Sequence, residues 1–288
     1  MMRKLITIAA VAALLPGVAA GALYDVLVGT SAGPVPGSRL TIGFFAHGGA
    51  PIGGGFSTDV ITGYKLFPAD FGDFAGGPRA TDDPGFQAFA GTFGAGELVS
   101  ARGLGGLQYW APGTAQWSAP PAGEAVRLFG AVPTDIAVAH IFCQTGDPFL
   151  CDPGLAALYP FYAQGTAFSA AGVTGPNPTI IDAASGAGSF HAHLDWFIEQ
   201  PGGSPSTGAY LLNLQLTAAP KYLDSEPFSI IFNYGLTPAQ FQTALLSRTE
   251  LPVVVPEIPE PASAATLLAG LALLAVVARL RSSRRARA

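Results

Sequence analysis

The chain has 288 residues, of which 49% are hydrophobic and only 11% charged, with 37 Gly and 25 Pro. So many turn formers beside so few charges exclude a coiled coil or long-helix protein and point to short strands joined by turns. Of the 14 Lys and Arg, two lie in the first four residues and five in the last ten, leaving seven against 17 of the 19 acids, so the body is near −10 and disfavours nucleic acid and anionic membrane as partners.

In chain order, Met1-Met2-Arg3-Lys4 precedes an apolar run over residues 5–15, and Ala20-Gly21-Ala22 has the small-x-small form that signal peptidase cuts. Residues 1–22 therefore read as a signal peptide, since Pro16-Gly17 ends the run too early to span a bilayer. Residues 23–250 form an extracytoplasmic body, long enough for one large or two small β units. Strands are expected at 24–28, 39–46, 59–67, 86–93, 97–101, 107–110, 125–129, 136–142, 189–198, 209–217 and 228–233. Gly33-Pro34, Asp83-Pro84-Gly85, Pro112-Gly113 and Pro201-Gly202-Gly203 mark turns between them. This spacing predicts an all-β, antiparallel sandwich-like body.

Residues 209–217 alternate cleanly, with Tyr210, Leu212, Leu214 and Leu216 on one face and Asn213 and Gln215 on the other. They are expected to pair antiparallel with strand 189–198 across a long connection. One helix is predicted, with Thr237 as N-cap, Pro238 in the first turn, Gln240 closing a capping box and Phe241, Ala244 and Leu245 as its apolar stripe. A division into two units would fall near Val132-Pro133-Thr134, and one sandwich-like body with insertions is the equal alternative. The two cysteines, Cys143 and Cys151, are expected to form a disulfide in an oxidising compartment, a metal-thiolate pair being the rarer use of such spacing.

Residues 251–261 are a Pro-rich linker, residues 262–278 an apolar stretch just long enough for a transmembrane helix, and residues 279–288 a basic tail with five arginines. Positive charge retained in the cytoplasm places the body outside.

The stretch GSFHAHLDWFIE, residues 188–199, carries the densest chemistry. Read as a strand, it puts Phe190, Ala192, Leu194, Trp196 and Ile198 on an apolar face and His191, His193 and Asp195 on the other. Residues two apart on a strand lie ~6.6 Å apart along it, so two imidazoles can converge on one ion. His47, in Ala46-His47-Gly48-Gly49, and Asp195 are the candidates to complete a zinc site with His191 and His193. The competing reading makes the histidines the wet face of a half-exposed sheet. His140, within an apolar run, reads as a core histidine. Asp70, Asp73, Asp82 and Asp83 read as solvated turn acids, and Tyr109, Trp110 and Trp117 as core aromatics rather than a sugar-stacking platform. With no His-Glu-x-x-His, no phosphate loop and nothing to nominate an oxyanion hole, the expectation is a non-enzymatic protein.

Two resemblances add to this. Pro259-Glu260-Pro261, the apolar stretch and the arginine-rich end together resemble the PEP-CTERM sorting signal. That resemblance implies recognition by an exosortase and export to the envelope or surface of a Gram-negative bacterium, with the C-terminal helix in the inner membrane before processing. Residues 190–197 with Gly208-Ala209-Tyr210 resemble the His-x-His-x-x-Trp, Gly-x-Tyr repeat of surface-anchored proteins associated with metal-uptake systems. The body is also similar to PEP-CTERM proteins under the zinc-uptake repressor, through Asp83-Pro84-Gly85-Phe86 and Phe232-Asn233-Tyr234-Gly235. This implies zinc handling under scarcity, through His191 and His193, with a metal-uptake system as partner; Trp196, also part of the repeat, lies on the apolar face and reads as a core anchor behind the site. The alternative is a structural or glycan-binding matrix component, with exopolysaccharide as its partner.

Overall fold

The computed structural model describes residues 24–46, 51–52, 57–72, 76–147 and 149–249. The expected signal peptide, His47, Asp73, the linker with its Pro259-Glu260-Pro261 motif, the transmembrane helix and the basic tail all lie outside the described residues. No helix among the described residues is long and apolar enough to cross a membrane.

The strands are β1 (Tyr24–Thr30), β2 (Leu40–Ala46), β3 (Pro51–Ile52), β4 (Lys65–Asp70), β5 (Ala80–Thr81), β6 (Phe86–Ala88), β7 (Leu98–Ala111), β8 (Gln116–Ser118) and β9 (Ala125–Phe129). Three helices follow, α1 (Thr134–Thr145), α2 (Pro153–Ala156) and α3 (Tyr159–Ala163). Then come β10 (Thr166–Ser169), β11 (Gly172–Thr174), β12 (Thr179–Ala183), β13 (Phe190–Ala192), β14 (Asp195–Glu199), β15 (Gly208–Thr217), β16 (Phe228–Tyr234) and α4 (Pro238–Thr249). Three sheets result, ordered β13-β6-β1-β2-β3, β11-β10-β9-β14-β5 and β12-β7-β15-β16-β4, with β8 added to β7. Pairing is antiparallel except between β1 and β6 and between β16 and β4. The body is thus mostly β and sandwich-like, as the strand spacing predicts.

The third sheet explains how the layers stack. Tyr210, Leu212, Leu214 and Leu216 of β15 point into one core shared with Val26 and Phe86 of the first sheet and Val126 and Trp196 of the second. Ala209 and Leu211, one residue out of phase, point the other way, against Leu236, Ala244 and Leu245 beside α4. Each fully buried Leu contributes about 1.5–3 kcal/mol, so this one strand supports both layers. The capping box closes as predicted: Thr237 N–H donates to Gln240 Oε1 at 3.0 Å and Gln240 N–H to Thr237 Oγ1 at 3.4 Å.

Several expectations need correction. Residues 136–142 are not a strand but the middle of α1. Their apolar run satisfies either period, and the structure buries Ile136 and Ala139, three apart, on one helix face. Gly146, at φ 75°, ends the helix in the left-handed region that glycine adopts without strain. Helices α1 to α3 form an insertion between β9 and β10, which are neighbours in one sheet. Cys143, in the last turn of α1, is bonded to Cys151 just before α2. Val132-Pro133-Thr134 is the entry to this insertion, and the main core takes residues from both sides of it.

Residues 97–101 and 107–110 belong to one long strand, β7, rather than two. Its glycines look like breakers in sequence, but Gly103 lets the ring of Phe168 approach, since a Cβ there would lie 2.6 Å from Phe168 Cε1. Residues 59–67 are shortened by a turn, and the strand begins at Lys65. Strand β15 pairs with β7 and β16, not with the histidine segment. The histidine segment itself is two strands in two sheets: β13 pairs with β6, while β14 pairs with β9 and β5.

Candidate metal centre

Residues 193 and 194 lie between β13 and β14, where the chain leaves one sheet for another. The apolar alternation survives the crossing, because Phe190, Leu194, Trp196 and Ile198 are all buried. With its apolar side anchored in the core, the polar side holds the two histidines together: their Nε2 atoms are 3.0 Å apart.

Among the described residues, two other segments reach this corner, β1 and the turn at 82–85 that leads into β6. Asp25, on β1, is fully buried, although Val26 and Val28 beside it fill the apolar core. Its Oδ1 accepts a hydrogen bond from the Gly85 N–H at 3.1 Å, and its Oδ2 lies 3.1 Å from His191 Nε2. β1 is brought there by parallel pairing with β6, which follows Gly85 and also pairs with β13. On the far side of the His193 ring, Nδ1 lies 3.1 Å from the Asp82 carbonyl oxygen, 3.5 Å from Asp83 Oδ1 and 3.9 Å from Asp82 Oδ2. Gly85 keeps the corner compact. A Cβ at that position would lie 2.7 Å from Asp25 Oδ1 and 2.8 Å from His193 Cε1.

Among the described residues two overlapping sets of potential ligands result, Asp25 with His191 and His193, and Asp82 with Asp83 and His193; within each, the ligand atoms all lie within 4.8 Å of one another. Zinc bonds of ~2.0–2.1 Å in tetrahedral geometry set ligand atoms ~3.3 Å apart, close to the 3.0 and 3.1 Å separations around His191 Nε2. The donor types also suit zinc, two neutral imidazoles with one carboxylate. Asp25 is wholly withdrawn from water, whereas the His191 side chain is 46% exposed, so the corner has a buried anionic floor and an open rim.

The candidate residues divide as follows. His191 and His193 are together. Asp195, the first residue of β14, is exposed opposite Phe129 and belongs to neither ligand set. The strand break at residues 193 and 194 removes the common face that made it the next candidate. His47 lies outside the described residues. His140 is not a core residue: it is half-buried on α1, stacks on Tyr159 at 3.8 Å and bonds Gln144 at 2.8 Å. Trp196 is fully buried, 5.1 Å from the Phe232 ring, as an anchor behind the corner. Asp83 is not a solvated turn acid, being 7% exposed and turned towards His193. Asp70 accepts a bond from Asn233 at 2.9 Å. Tyr109 and Trp110 are buried in opposite core clusters, and Trp117 lies under Arg248 while donating to Ser247. These aromatics share no open face.

Asp25 and Gly85 were missed. A signal for the first is an acid placed directly before Val26-Leu27-Val28 in a core strand, where a charge is costly without a partner. The second gives no local signal, because its constraint comes from two side chains distant in the chain.

Residues 257–285 match the PEP-CTERM protein-sorting motif. The motif marks an exported protein sorted to the cell surface, with exosortase as the enzyme that processes it. No curated protein and no solved structure matches the chain.

Proposed function

We propose that this exported surface protein binds a divalent cation, zinc, through Asp25, His191 and His193, and acts as a scavenger or buffer of that ion outside the cytoplasm. The observation that carries this reading is the convergence of two imidazole nitrogens and a fully buried carboxylate at separations suited to one ion. A buried carboxylate is costly to keep charged, and a dication on the adjacent nitrogens offsets that cost. A binding role rather than catalysis accords with the setting of Gly29-Thr30-Ser31-Ala32-Gly33, which matches Gly-x-Ser-x-Gly but joins strand β1 to strand β2, not the strand-to-helix turn of a nucleophile elbow. In this reading residues 262–278 hold the unprocessed chain in the inner membrane of a Gram-negative cell, and a metal-uptake system receives the ion.

Calorimetric titration of the chelator-treated protein with zinc chloride tests the proposal. One high-affinity equivalent is expected, lost in the His191→Ala, His193→Ala double variant and in Asp25→Asn. Absence of binding in the parent, or equal binding in the double variant, refutes it.

A further inference from the structure

The two ligand sets share His193, and they cannot both use it as a neutral ligand. A neutral imidazole has one lone-pair nitrogen and one N–H. The surroundings of the two nitrogens differ in kind. Nδ1 faces oxygens, with the Asp82 carbonyl at 3.1 Å, Asp83 Oδ1 at 3.5 Å and Asp82 Oδ2 at 3.9 Å. Nε2 faces His191 Nε2 at 3.0 Å. Oxygen acceptors around Nδ1 require the proton there, because a lone pair on that nitrogen would face theirs.

We propose that the Asp82-Asp83 turn holds His193 as the Nδ1–H tautomer, so that the ion is bound at Nε2 on the Asp25 side and Asp82 and Asp83 are positioning residues, not ligands. This deepens the proposed function and rests on it. The arrangement is the usual outer shell of a metal-bound imidazole, whose second nitrogen donates to a carbonyl or carboxylate that orients the ring and raises its basicity. The Asp25 carboxylate is fully buried, whereas the Asp82 and Asp83 side chains keep 33% and 10% exposure.

The same reasoning gives His191 the opposite starting state. Its Nε2 stands between two acceptors, Asp25 Oδ2 at 3.1 Å and the lone pair of His193 Nε2 at 3.0 Å, so without metal it carries its proton on Nε2. To bind an ion there it must give that proton to solvent and take one at Nδ1, leaving the ring neutral and the proton count unchanged. One histidine is preset for the ion, and the other changes tautomer when the ion arrives.

Two-bond ¹H–¹⁵N correlation spectra of the full chain, labelled at histidine nitrogens and recorded with and without one equivalent of zinc chloride, read both states. His193 is expected to be Nδ1–H in both spectra, and His191 to pass from Nε2–H to Nδ1–H on loading. His193 protonated at Nε2 in the zinc-loaded protein overturns this inference alone and places the ion with Asp82 and Asp83. Failure of zinc to bind overturns the proposed function and, with it, the seat of the ion. In parallel, Asp83→Ala is expected to weaken zinc binding by roughly 10- to 100-fold, and Asp83→Asn, which keeps an acceptor oxygen, by clearly less. Equal losses in the two variants, with unchanged thermal melting, would make Asp83 a ligand and overturn its positioning role.

Discussion

Gly85 illustrates how one residue can constrain a whole site. Its missing side chain leaves room for the Asp25 carboxylate and the His193 ring, and its N–H donates to Asp25. Gly85→Ala inserts a methyl group at less than contact distance from both, which costs about 1–3 kcal/mol in a packed environment. The expected outcome is a zinc affinity lowered by at least about tenfold, measured by calorimetry, in a protein that still folds. A second residue, Arg248, acts in the same way on stability. It is 3% exposed, donates to the fully buried Asp59 from Nε at 3.0 Å and from Nη2, and reaches Gln108 at 3.1 Å. Removing one member of such a pair leaves the other charge buried, so Arg248→Ala is expected to cost about 3–5 kcal/mol in urea denaturation. The joint change Arg248→Met, Asp59→Leu should cost much less, because no stranded charge remains.

Among the elements, the α1–α3 insertion is the most weakly anchored by packing. Only Ile136 and Ala139 are buried in α1, and no residue is in α2 or α3, while Ile141, Phe149, Leu150 and Phe161 are exposed. Its order therefore depends on the Cys143–Cys151 bond and on local caps such as Asp152, whose carboxylate accepts from the Gly154 and Leu155 N–H groups. Closing a loop this short constrains the unfolded chain by about 2–3 kcal/mol. Reduction is expected to accelerate hydrogen exchange across residues 134–163 while leaving the β7–β15–β16 core protected, as mass spectrometry of the exchanged peptides would report. The C-terminal helix contrasts with it, since α4 has both a capping box and a buried face. Thr237→Ala should cost about 1 kcal/mol in thermal denaturation and no more.

For the molecule as a whole, acid is the condition that tests its cross-links. Burial pushes the Glu97 carboxyl up, but bonds from Lys221, Tyr222 and the Gly94 N–H outweigh it and hold the group below the usual carboxylate range. These bonds tie the start of β7 to the segment between β15 and β16. A carboxyl whose folded pKa lies below its unfolded one adds stability that is complete above pH ~4.3 and disappears as pH falls through the folded value. Glu97→Gln is therefore expected to be less stable than the parent near neutral pH and to lose less stability between about pH 5 and pH 3. Parallel pH-dependent melting curves for the two proteins check both statements.

Several features were legible because they are written in neighbouring residues. The alternation in 190–198 correctly assigned Phe190, Leu194, Trp196 and Ile198 to the core, even though the segment divides between two sheets. The Thr237 capping box and the sorting motif over 257–285 are likewise local patterns. By contrast, the helical state of residues 136–142 was undecided by a run apolar at every period, and the structure selects a helix that extends out of the sheet. The grouping of Asp25 and Asp83 with His193 was out of reach for a different reason. It depends on which strands pair, and β1, β6 and β13 meet through backbone hydrogen bonds that any sequence can make. By itself, the sequence determined the faces of the strands, the cap of the last helix and the export address, all fixed by residues a few positions apart. Only the tertiary structure decided which acid lies beside which histidine, because that contact requires segments distant in the chain to be packed into one corner.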